Sequence, residues 1–160
     1  MRRILPLVIA FLALGAMGDS LYLTLDHFKV LGQIPAGQED FCAALAGSCQ
    51  SVVQSPQSTV LGVPIALLGA GSFAMVFAAA LLRLRTGEWP MAGLFEVVLS
   101  IGLFFSGYLV YSLLFEIKIV CPYCLGAHAA NAAMVLLYAL SSRLDRPHAV
   151  TRGRWALGTR

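Results

Sequence analysis

Cys121-Pro122-Tyr123-Cys124 opens an apolar segment, and a second pair, Cys42 and Cys49, stands far upstream in a more polar stretch. Paired thiols can form, break and exchange disulfides, because a thiolate attacks a disulfide sulfur through a mixed-disulfide intermediate. The two pairs differ in what surrounds them. Pro122 suits the first turn of a helix, where its missing N–H would have no partner. Cys121 is then at or near the N-cap, and Cys124 lies one turn deeper on the same face. A helix N-terminus stabilises a thiolate. Cys121 is therefore expected to be the exposed, attackable sulfur, and Cys124 to point into the bundle, within reach of an apolar cofactor. Six residues, Ala-Ala-Leu-Ala-Gly-Ser, separate Cys42 from Cys49. That stretch is small and adaptable, so its pair can close, open and swing onto another disulfide. Structural alternatives stay open at this point. Either pair could be a fixed staple or packed thiols, and four thiolates could hold zinc, although a six-residue gap is not a usual zinc-knuckle interval.

The elements that must position these sulfurs are helices in lipid. The chain of 160 residues is 59% hydrophobic and only 12% charged, with a mean hydropathy of +0.80. Soluble domains carry roughly a quarter charged residues, and a chain this short cannot hide so much apolar surface in its own core. A net charge of +3 gives no reason to expect nucleic acid. Four apolar runs stand out: Ile4 to Leu25, Thr59 to Leu82, Met91 to Phe115 and Ile119 to Leu140. Each is long enough for a helix to cross about 30 Å of hydrocarbon, and lipid forces backbone groups to pair within the segment. The expectation is an all-α integral membrane protein, a bundle of four transmembrane helices. The membrane domain spans residues 1–140, followed by a basic, polar tail over 141–160 that is expected to be partly disordered. The first run resembles a signal peptide at Met1-Arg2-Arg3, but its apolar stretch is too long for an h-region, so an uncleaved helix is expected.

Orientation follows from the basic residues. With the N-terminus inside, the inner segments hold nine arginines (Arg2, Arg3, Arg83, Arg85, Arg143, Arg146, Arg152, Arg154 and Arg160) and the outer ones only Lys29 and Lys118. Positive charge favours the cytoplasmic side. Both termini are then cytoplasmic and both cysteine pairs lie on the outer side, where disulfides persist. Residues 83–90 are expected to form a short inner turn with Trp89 at the interface, and Glu116-Ile117-Lys118 a tight outer turn. The long outer connection from Asp26 to Ser58 has the length of a functional loop, with a short surface helix expected over Phe41 to Ser55.

A few polar residues join the cysteines as candidates. Ser55 precedes Pro56 and can cap or turn the chain. His128 is one turn beyond Cys124 on the same face, where it can hydrogen-bond a ligand oxygen, relay a proton or simply pack. Asp19 lies about 9 Å below Leu25 at the helical rise, an expensive place for a carboxylate and so a functional candidate. Glu96 is expected to snorkel at the inner interface or to meet Arg83 or Arg85. The glycines in the apolar runs are expected to let helices approach closely.

Taken together, Cys42 and Cys49, Ser55 six residues after Cys49, Leu61-Gly62-Val63-Pro64, Cys121-Pro122-Tyr123-Cys124 and Ser20-Leu21-Tyr22-Leu23-Thr24 resemble the vitamin K epoxide reductase family, in its bacterial thiol-oxidase branch. The resemblance covers residues 4–140. The order of the pairs supports it, since another membrane thiol-oxidase family places its CxxC in the first outer loop and its wide pair in the second.

The resemblance implies a four-helix bundle around a quinone (ubiquinone or menaquinone), open toward the outer face of a bacterial inner membrane. It implies that Cys42 exchanges with a thioredoxin-fold partner, that Cys49 passes electrons to Cys121, and that Cys124 faces the quinone, with Ser55 and, less directly, His128 and Asp19 near it. Many members carry a fused thioredoxin-like domain. About twenty residues follow the fourth run here, so the periplasmic or extracytoplasmic partner is expected to be a separate protein. Ile65 stands where the family often has Asn, which removes one polar contact to the quinone. The expected activity is quinone-dependent thiol:disulfide oxidation in support of disulfide formation. A thiol-driven reductase of vitamin K epoxide or quinone is the enzymatic alternative. A small membrane assembly or metal-handling protein with structural cysteines is the non-enzymatic one.

Overall fold

The computed structural model describes residues 3–28, 52–53, 55–118 and 121–156, with side chains described as far as Leu144. Four helices, each long and apolar enough to cross a membrane, account for nearly all of it. They are α1 (Ile4–His27), α2 (Ile65–Thr86), α3 (Ala92–Tyr111) and α4 (Pro122–Ala156). The chain is a membrane helical bundle, as its composition predicts. The surface helix expected over 41–55 falls largely outside the described residues.

Small residues set the packing. In α1 the buried positions include Pro6, Ile9, Ala10, Ala13, Ala16, Ser20, Leu23 and Thr24, a stripe at helical spacing. Against it α2 sets Phe73, Val76, Ala79 and Ala80. Lipid tails are as apolar as any side chain, so helices associate through close van der Waals contact, which small residues permit. A Cβ on Gly69 of α2 would stand 3.4 Å from Ser20 Oγ on α1, which marks how near the two backbones come there. Helix α1 packs along α2 and α4, α4 packs on α3, and α2 touches α3 only sparingly.

The main core unites Ile9, Ala13 and Ala16 of α1, Phe73 to Ala80 of α2, Phe95 and Leu99 of α3, and Met134 and Tyr138 of α4. Most of these residues lie toward the end of the bundle that carries the connection between α2 and α3. That connection is pinned by aromatic rings. Trp89 stacks on Phe95 at 5.2 Å, both rings meet Tyr138 edge-on at 5.0 Å, and the Arg83 guanidinium lies 5.9 Å from the Trp89 ring centre. Trp89 Nε1 donates to Ser141 Oγ (3.3 Å), and Tyr138 Oη donates to Glu96 Oε1 (3.3 Å). Glu96, expected to snorkel or to meet Arg83 or Arg85, has a phenol of α4 as a hydrogen-bond partner. Gly87 ends α2 with φ +80° while its N–H bonds Arg83 O at 2.9 Å, a left-handed cap that glycine adopts without strain.

Three boundaries differ from the sequence expectation. The second helix starts at Ile65, not Thr59. Before it, β1 (Thr59–Val60) pairs antiparallel with β2 (Val63–Pro64). Leu61 and Gly62 have φ of +53° and +80°, the sign a two-residue hairpin turn requires, and Pro64 keeps Val63 out of the helical region. Apolar composition hid this hairpin. At the far end of α3, residues Ser112–Ile117 continue as a wider π-helical turn where a tight turn from Glu116 was expected. Ser112 Oγ donates to Glu116 Oε2 at 2.6 Å across it. Finally, α4 runs on to Ala156, through the stretch expected to be a partly disordered tail.

Ala80 is fully buried in the core. Ala80→Leu should lower stability by about 1–3 kcal/mol through overpacking. Leu81→Ala, on the exposed side, should change it by no more than about 0.5 kcal/mol. Thermal unfolding in detergent compares the two.

Candidate redox site at the head of α4

Helix α4 begins at Pro122, directly after Cys121, as the proline predicts. The backbone N–H of Cys124 donates to Cys121 Sγ at 3.4 Å, so the sulfur occupies the place of a capping oxygen and satisfies one of the helix's orphan donors. No disulfide joins Cys121 to Cys124. The hydrogen bond from the Cys124 side chain holds the Cys121 thiol below its ordinary range. Burial opposes this, the backbone N–H groups of Cys124 and Tyr123 support it, and the charge of Asp19 works against it.

Exposure of the two sulfurs is the reverse of the sequence expectation. Cys121 is 0% exposed and Cys124 is partly exposed. The reason is a roof. Val52 and Leu113 close over Cys121, with Ile117, Tyr123 and Leu125 packed beside them. Two residues hold the roof in place. His27, the last residue of α1, donates from Nδ1 to Val53 O at 2.9 Å; a carbonyl only accepts, so the ring nitrogen must carry the proton. Ser55 bonds back to Val52 O through both its hydroxyl (2.8 Å) and its N–H (3.2 Å). Ser55 therefore turns the chain and reaches Cys121 through Val52. A sequence cannot reveal the role of His27, because its partner is a backbone carbonyl 26 residues away.

His128 lies on the Cys124 face of α4. Its Nδ1 is 3.1 Å from Ser106 Oγ on α3, and Asn131 Nδ2 donates to the same oxygen at 2.9 Å. Ser106 and Asn131 escape a sequence reading: each is one of several scattered polar residues in an apolar run, and only helix packing makes them neighbours. Asp19 is placed elsewhere. It lines a cleft of about 330 Å³ between α1 and α4, with Gly15, Ala16, Pro122, Tyr123 and Gly126 among its walls. Those α4 residues lie on the other side of the helix from Cys124 and His128, so Asp19 approaches α4 from a different face, with its charge felt at both cysteines. Tyr123 also faces Tyr22 of α1, with ring centres 6.3 Å apart. Cys42 and Cys49 lie outside the described residues.

The chain thus sets a CxxC as the cap of a membrane helix inside a four-helix bundle. The model of the vitamin K epoxide reductase family matches residues 7–139. The chain belongs to that family. Comparison with curated proteins finds no match. Membership makes the chain a multi-pass membrane oxidoreductase, in a family whose enzymes use quinones as electron partners.

Three outcomes test the site in full-length protein carrying Cys42→Ser and Cys49→Ser. The alkylation rate of Cys121, followed by peptide mass spectrometry, should show a midpoint below that of an ordinary thiol. Cys124→Ala removes the largest stabilisation of the thiolate, so the midpoint should move to higher pH. His27→Ala frees the roof and should speed Cys121 alkylation several-fold at fixed pH. An unchanged rate would mean that the His27–Val53 bond does not guard the sulfur.

Proposed function

We propose that the protein is a quinone-linked thiol oxidase that reoxidises a thioredoxin-fold partner on the outer face of a bacterial inner membrane. One observation carries this reading. Val52 packs directly on Cys121, and Cys49 precedes Val52 by three residues. Three residues of extended chain span at most about 10 Å, so the loop pair is tethered close to the helix pair. Two cysteine pairs held this near one another suit exchange between disulfides better than two separate staples. The nine-to-two arginine and lysine asymmetry supports the orientation.

The transfers balance as follows. A thiolate of the reduced partner attacks Cys42 Sγ, the Cys42–Cys49 bond breaks, and the electron pair leaves on Cys49. The partner's second thiolate then attacks its own sulfur in the mixed disulfide, which releases Cys42 and oxidises the partner. Cys49 attacks Cys121 Sγ of a Cys121–Cys124 disulfide, and the pair leaves on Cys124. Cys42 resolves that second mixed disulfide and frees Cys121, so the helix pair is now the dithiol. The capping N–H of Cys124 and the helix N-terminus stabilise Cys121 as a leaving thiolate. Because Cys121 is buried under Val52, the roof has to lift for Cys49 to reach it, which keeps other thiols away from the sulfur.

A quinone suits the residues around Cys124. The inner halves of the helices are closed by the core, α2 and α3 meet only sparingly, and His128 offers a polar atom one turn from Cys124. Cys124 and His128 would hold the ring of the quinone, which supplies a sink for two electrons and two protons. Ser55 acts here through the roof and Asp19 from the α1–α4 cleft, where its charge bears on Cys121.

In proteoliposomes with quinone, the wild type should oxidise a thioredoxin-fold dithiol, and Cys124→Ala should lose that activity by at least about a thousandfold, as expected when a reacting group is removed. Activity retained by Cys124→Ala sinks the mechanism. Activity seen only as epoxide reduction with a dithiol would point to the reductase direction instead.

A further inference from the structure

Ser106 of α3 is the meeting point of two side chains of α4. Asn131, a buried residue, donates its amide N–H to Ser106 Oγ at 2.9 Å, and His128 Nδ1 lies 3.1 Å from the same oxygen. An amide nitrogen only donates, and a hydroxyl has a single proton to give. Among the described residues Ser106 makes no hydrogen bond beyond these two, so its proton is directed to His128 Nδ1. A ring nitrogen that accepts carries no proton, which leaves the proton of neutral His128 on Nε2. Among the described residues Nε2 has no partner, and it is not among the side-chain atoms sealed from solvent. Gly102, one turn before Ser106, makes the approach possible. A Cβ there would stand 3.4 Å from Asn131 Nδ2 and 3.5 Å from Oδ1.

We propose that Ser106 and Asn131 are positioning residues: by their hydrogen bonds they hold His128 as its Nε2–H tautomer, aimed as a donor at a ring carbonyl oxygen of a ligand held beside Cys124. The proposal rests on the quinone-linked reading for the identity of that ligand. Cys124 and His128 are four residues apart on one face, with Cβ atoms about 6 Å apart, so one ring can meet both side chains. A bonded N–H orients the carbonyl and stands ready to protonate it as charge develops on the oxygen. Without the brace the imidazole rotates and exchanges tautomers, and the donor is lost for part of the time.

The test uses full-length protein in nanodiscs with ¹⁵N-labelled histidine, His128 being assigned by the loss of its signal in His128→Ala. The wild type, without quinone, should show Nδ1 unprotonated and Nε2 protonated. In Ser106→Ala the ring should report both tautomers, and the KM for a short-chain benzoquinone should rise about tenfold, the worth of one well-placed hydrogen bond, with kcat much less affected. Asn131→Leu should shift both readouts in the same direction. Ser106→Thr, which keeps the hydroxyl, should restore them. A wild-type ring protonated on Nδ1 overturns the proposal without any variant, and so does Ser106→Ala with tautomer and KM unchanged. If the wild type holds the Nε2–H tautomer and Ser106→Ala releases it, yet no benzoquinone is reduced, the brace stands and the quinone-linked reading fails.

Discussion

The hydrogen bond from the Cys124 N–H to Cys121 Sγ joins the two demands placed on this molecule. A helix that starts near the lipid boundary leaves backbone donors unpaired, and few groups are available there to accept them. Cys121 supplies an acceptor, and the same contact supports a thiolate on that sulfur. Helix cap and candidate redox sulfur are thus one group. Because the capping role fixes Sγ over the first turn, the sulfur is held where Val52 and Leu113 can close on it, and its burial follows from its position in the helix.

The bundle is divided in depth. Alanines and glycines draw α1 and α2 together, and the Trp89, Phe95 and Tyr138 rings lock α3 and α4 to the connection between α2 and α3. At the CxxC end a second, smaller apolar cluster forms around Cys121, and polar contacts join it: Ser106 with His128 and Asn131, His27 with Val53, and Ser55 with Val52. Each of these ties an element to another across the bundle or closes a turn.

Much of this was legible in the sequence. Four apolar runs could only be helices in lipid, and Pro122 marked the first residue of α4. The misses share a cause. Thr59 to Pro64 is apolar enough to pass for the start of α2, yet positive φ at Leu61 and Gly62 makes it a hairpin. Cys121 looked exposed because helix ends usually are; it is covered by residues from α3 and from the loop. Ser106 and Asn131 gave no signal, since a single polar residue in an apolar run looks the same whether it faces a partner or lipid.

The sequence by itself therefore determined the class, the spans and the CxxC at the head of α4, because these depend on local quantities: run length, charge, and the conformational limits of proline. Tertiary structure alone decided which sulfur is covered, which carbonyl His27 reaches, and that Ser106, His128 and Asn131 share their hydrogen bonds. Those outcomes depend on how helices rotate and close on one another. In lipid that is governed by close contact between small residues and by the pairing of polar groups that have no water to turn to, and neither is fixed until the helices have packed.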